Sequence, residues 1–155
     1  MIQNREVLAY DRMDELSQRF GRALFLAFPN WERLAEDVKD EKTGTHYIKV
    51  DVPQEGTDRR LHLSTVDKEI TIAFDHWHTH VGPFLGISTA ESVATAITII
   101  ESFITEQAVV KVSRRDGTWI ESSLEYLAAP SEPKPHSTTQ VFSWLRTYDQ
   151  TIETS

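Results

Sequence analysis

Apolar and polar residues alternate along residues 69–81, which read Glu-Ile-Thr-Ile-Ala-Phe-Asp-His-Trp-His-Thr-His-Val. Successive side chains of a strand point to opposite faces, so the alternation predicts one strand through this stretch. One face would carry Ile70, Ile72, Phe74, His76, His78 and His80. The other would carry Glu69, Thr71, Ala73, Asp75, Trp77 and Thr79. Such a strand begins in a hydrophobic core and ends in a row of imidazoles.

The rest of the chain follows the same two periods. Met13, Leu16, Phe20, Leu24 and Ala27 recur at spacings of three and four and predict a helix over residues 5–27, ended by Pro29. Asn30 would cap a short second helix through Trp31, Leu34, Ala35 and Val38. His46, Ile48, Val50 and Val52 alternate with Tyr47, Lys49 and Asp51, and Pro53 closes that strand. Leu61, Leu63 and Thr65 form a second alternating run, hairpinned to the histidine strand through Val66, Asp67 and Lys68.

Gly82 and Pro83 then break the pattern, and Ser88-Thr89-Ala90-Glu91 has the capping-box form. It predicts a helix to about Gln107 with Val93, Ala96, Ile97, Ile100, Phe103 and Ile104 as its apolar stripe. Residues 109–113 and 118–127 form a hairpin around Asp116-Gly117. Pro130, Pro133 and Pro135 make residues 129–137 a stiff exposed loop. A last strand over 138–151 would put Phe142, Trp144, Arg146 and Tyr148 on one face. The expectation is one α+β domain over residues 1–155, in the order helix-βββ-helix-βββ. Its antiparallel sheet would have about six strands, with the helices packed on one face.

Composition narrows the function classes. The 155 residues suit one domain, and 39% hydrophobic with 26% charged residues is ordinary for a globular protein. No apolar run reaches bilayer length, and the N-terminus lacks a secretory pattern. The absence of cysteine rules out disulfides and thiolate metal sites and is compatible with a cytoplasmic location. A formal charge of −8 argues against nucleic acid, which needs clustered cations, and is suited to solubility or to steering toward a basic protein.

The histidine row is the sharpest chemical candidate. Imidazoles two apart on a strand share a face and can present two nitrogens to one ion such as zinc. His76, His78 and His80 are therefore candidate metal ligands, with His62 or Glu91 able to complete a set; the alternative is that the rings fill the polar end of the core. No His-Glu-x-x-His pattern, phosphate loop, Gly-x-Ser-x-Gly elbow or cysteine nucleophile is present. Trp77 and Trp144 are candidate interface anchors, because tryptophan, tyrosine and arginine dominate binding hot spots; the alternative is that a second layer covers them.

Three stretches carry a family resemblance: Phe28-Pro29-Asn30-Trp31, the run from Ile70 to His80, and Phe142-Ser143-Trp144-Leu145-Arg146-Thr147-Tyr148-Asp149. The chain resembles small bacterial immunity proteins of polymorphic-toxin and contact-dependent inhibition systems. Similar sequences there often read Trp-His-x-His-Phe, where this chain has Val81. The resemblance implies a cytoplasmic, non-enzymatic protein that binds and blocks a cognate toxin. On that reading the contact residues are Asp75, Trp77, Trp144, Tyr148 and Asp149, the partner is a basic toxin, and no cofactor is involved. A metal-dependent enzyme or metal-binding protein using the histidine row, and a homodimer pairing sheet edges or open faces, remain the other expectations.

Overall fold

A computed structural model describes residues 8–155 of the chain. A 3-10 turn, Tyr10–Arg12, precedes helix α1, Glu15–Ala27. The helix begins later than the apolar spacing predicts. Met13 is extended, and the Asp14 carboxylate caps the helix by accepting from the Ser17 N–H at 2.7 Å. Residues 5–7 of the expected helix lie outside the described residues.

The expected second helix is also corrected. Pro29–Leu34 forms a 3-10 turn, and Ala35–Lys39 becomes strand β1. β1 pairs along its whole length with β2, His46–Pro53, so a complete backbone ladder overrides the helical spacing of Leu34, Ala35 and Val38. β3, Arg60–Ser64, β4, Ile70–Phe74, and β5, Trp77–Val81, continue an antiparallel meander of five strands in the order β1-β2-β3-β4-β5.

The single strand expected over residues 69–81 is therefore a hairpin. Phe74 and Trp77 sit opposite each other, and Asp75 and His76 form the turn between them. Asp75 holds φ at 53°, a left-handed conformation that aspartate tolerates better than most residues. An even-numbered turn preserves alternation in the sequence but exchanges the faces. Ile70, Ile72 and Phe74 face the core with Trp77 and Val81, and His78 and His80 point to the other side.

Helix α2, Thr89–Ile104, starts as expected, with the Ser88 hydroxyl accepting from the Glu91 N–H at 3.0 Å, and ends three residues short of Gln107. β6, Ala108–Arg115, and β7, Thr118–Tyr126, form the expected hairpin. Asp116 and Gly117 take φ of 52° and 78°, as a tight two-residue turn requires. The expected last strand is interrupted: β8, Thr138–Phe142, is followed by a loop over residues 143–149 and then β9, Gln150–Glu153. These strands make a second antiparallel sheet in the order β7-β6-β8-β9.

The α+β class thus stands, and the single six-stranded sheet gives way to sheets of five and four strands. Both helices pack on one face of the larger sheet, α1 over β2 and α2 over β4 and β5, and α2 also meets β6. One hydrophobic cluster joins Phe20 and Leu24 of α1, Ile48, Leu63, Ile72 and Phe74 of the larger sheet, Ile100 and Phe103 of α2, and Val110 and Phe142 of the smaller one.

Candidate functional site

The loop over residues 143–149 breaks the last strand, and its own hydrogen bonds explain why. The Asp149 carboxylate accepts from the Ser143 N–H at 2.8 Å, and the Ser143 hydroxyl accepts from the Tyr148 N–H at 2.8 Å. The Arg146 N–H reaches back to the Ser143 carbonyl at 3.1 Å, with Arg146 in the left-handed region at φ 68°. Bonds that would continue a ladder are thus spent within the loop.

Two buried side chains from elsewhere brace it. The amide nitrogen of Gln54, in the β2–β3 connection, donates to the carbonyls of Ser143 and Trp144, each at 2.9 Å. Thr57 in turn donates its hydroxyl to the Gln54 side-chain oxygen at 2.8 Å. From the other side the Thr147 hydroxyl donates to Glu106 at 2.7 Å, just after α2, where Glu106 holds φ at 59°. The second Glu106 carboxylate oxygen is buried and has no partner among the described residues.

The Trp144 ring packs edge-on against Phe74 and Phe103, with centroids 6.1 and 5.8 Å apart. Its other surroundings belong to a cleft of about 710 Å³ lined by Trp31, Val52, Pro53, Trp144, Leu145 and Arg146, with Glu55 and Asp149 at its polar edge. Trp31 is held there by a parallel stack on Phe28 at 4.1 Å. Leu145 stands beside the cleft 71% exposed, and Tyr148 is 44% exposed. A braced backbone therefore offers an apolar side chain, an aromatic ring and a guanidinium to solvent. That arrangement costs little conformational entropy when a partner docks.

The expected contact residues separate into two groups. Trp144, Tyr148 and Asp149 come together at this loop, although Asp149 acts mainly as its internal clamp. Asp75 sits in the hairpin turn, 3.6 Å from the Arg59 guanidinium, which lies over the Phe142 ring at 4.3 Å. Trp77 is a correction: at 7% exposure it is a core residue with little surface to offer. The structure adds Gln54, Trp31, Leu145 and Arg146, which are not among the contacts expected from the sequence. Trp31, Leu145 and Arg146 fall within the stretches that carry the resemblance, whereas nothing in the sequence marked Gln54.

The histidines are also redistributed. His76 occupies the turn, while His78 and His80 lie exposed on the outer face of β5. His62 stands on the same face in β3, in register with Ala73, which pairs with His78. Glu91 begins α2, on the opposite side of the sheet. Among the described residues no three His, Asp or Glu side chains converge as a metal site. No protein-family model, curated protein or solved structure matches the chain.

Proposed function

We propose that this chain is a non-enzymatic immunity protein that binds and neutralises a cognate bacterial toxin in the cytoplasm. The observation that carries the reading is the braced loop over residues 143–149. It presents Leu145, Arg146 and Tyr148 from a backbone fixed by Gln54, Ser143 and Asp149, beside a cleft walled by Trp31 and Trp144. Two of the three stretches that resemble immunity proteins meet at this cleft.

Charge supports the kind of partner. The chain carries −8 overall, Arg146 is already placed against Asp149 at 3.7 Å, and Glu55 lines the cleft. A basic toxin surface complements that balance and is drawn to it at low ionic strength. The contact set on this reading is Leu145, Arg146 and Tyr148, with Trp144 beneath them.

The test is to search beside the gene of this chain for an encoded toxin domain and to co-express the two. The wild-type chain protects cells and forms a complex with the toxin, whereas Leu145→Asp and Tyr148→Ala lose both while keeping the wild-type melting temperature. Full protection by the Leu145→Asp, Tyr148→Ala double variant would move the contact surface elsewhere. Neither binding nor protection by the wild-type chain would end the reading.

A further inference from the structure

The outer face of the five-stranded sheet carries a chemistry that the partner surface does not use. His78 and His80 project from β5 with ring centroids 5.2 Å apart and planes inclined at 71°. Two imidazoles that share one tetrahedral ion, each nitrogen about 2.0–2.1 Å away, hold their centroids roughly 5 Å apart. The ring centroids therefore already stand at the separation that one shared ion requires. No exposed side chain has to be recruited from another element to bring the two together.

The surroundings of His80 fix which nitrogen is free. Its Nδ1 lies 2.9 Å from the Glu69 carboxylate and 3.0 Å from the Thr71 hydroxyl. Both contacts fall at Nδ1, so Nε2 is the nitrogen left for an ion to approach. A carboxylate behind the non-ligating nitrogen is the outer-shell arrangement that orients histidine ligands and raises their basicity. Glu69 and His80 meet because the hairpin places Thr71 opposite His80.

His62 repeats the pattern, its Nδ1 held by Asp51, but it stands two strands from His78, at roughly 10 Å by strand spacing. It stays outside the first coordination sphere. We propose that His78 and His80 form a two-imidazole site for a borderline divalent cation, zinc foremost, with Glu69 as the positioning residue. With two protein ligands the remaining positions fall to water, so the site suits exchangeable binding and not a closed structural zinc.

Calorimetric titration of the untagged full chain with zinc chloride near neutral pH tests this, and it does not depend on any toxin. One zinc per chain is expected. His78→Asn and His80→Asn should each weaken binding at least about tenfold, and Glu69→Gln about tenfold through loss of the outer-shell carboxylate. His62→Asn should leave the affinity unchanged. All four side chains lie on the outer face, and an unchanged melting temperature will confirm that each variant folds. Ring nitrogen resonances should shift at His78 and His80 on adding zinc. The proposal is overturned by the absence of saturable binding below about 1 mM zinc, or by unchanged affinity in the His78→Asn, His80→Asn double variant. An equal loss in His62→Asn would overturn the assigned pair.

Discussion

The side-chain amide of Gln54 donates to the main-chain carbonyl of Trp144 at 2.9 Å, tying the β2–β3 connection to the loop that interrupts the last strand. The same amide holds the buried Ser143 carbonyl, so one side chain satisfies two backbone acceptors that no strand partner reaches. Replacing Gln54 by Ala takes this donor from the Trp144 carbonyl and leaves the Ser143 carbonyl with the Arg146 N–H alone. An unsatisfied buried polar group costs about 1–3 kcal/mol, so Gln54→Ala should destabilise by that amount in urea unfolding. It should also speed hydrogen exchange at the Arg146 and Tyr148 amides. A stability equal to wild type would mean that the loop is held without this brace.

Trp77 and Leu145 give opposite expectations from a single class of substitution. Trp77 faces Phe74 across the hairpin and lies in the main core, so Trp77→Ala should cost about 3–5 kcal/mol. Leu145→Ala removes a side chain already in water and should change stability by no more than about 0.5 kcal/mol. Thermal unfolding of the two variants checks this directly. A Trp77→Ala protein as stable as wild type would return that ring to the surface.

The contrast shows what the sequence could reveal. Helix α2 was legible because a cap and a periodic stripe coincide there, and the Asp116-Gly117 hairpin because its turn chemistry is local. The histidine hairpin was not. Asp75 and His76 lack the glycine that usually marks a two-residue turn, and a turn of two residues keeps the alternation unbroken while reversing which face is buried. The same blindness applied at Phe142, where the strand ends through a network of Ser143, Asp149 and the distant Gln54. The pattern therefore marks Trp144 and Tyr148 as aromatic residues but puts them on a strand that the structure interrupts. β1 escapes the sequence pattern because its pairing partner, not its own composition, makes it a strand.

Gly21 tests how closely α1 is seated on the sheet. Glycine within a helix is usually destabilising by roughly 0.5–1 kcal/mol relative to alanine. Here a Cβ would fall 2.5 Å from the buried Ile48 Cδ1 and 2.9 Å from the Tyr10 ring. Ile48 is fully buried and has no room to yield. Gly21→Ala should therefore lower stability by about 1–3 kcal/mol, against the propensity trend. A more stable Gly21→Ala protein would show that α1 can lift from β2 at little cost.

The smaller sheet carries an acid-sensitive contact at Glu125. Burial pushes its carboxyl upward, but the Ser131 N–H, the Lys111 ammonium at 3.0 Å and the Ser131 hydroxyl at 2.8 Å outweigh that and hold it below the ordinary carboxylate value. A depressed folded value means that the contribution to stability is complete above the unfolded value of about 4.3 and is lost as pH falls through the folded one. Glu125→Gln should thus cost about 1–3 kcal/mol at about pH 7, where the charged hydrogen bonds are intact. The gap from wild type should narrow toward about pH 3, because acid removes the same charge from the wild-type protein. Urea unfolding of both proteins at the two pH values measures it. The Ser131 amide should lose its exchange protection over the same interval, since Glu125 is its acceptor and ties the proline-rich loop to β7. A gap independent of pH would show that the carboxylate charge contributes nothing and that shape alone seats the loop.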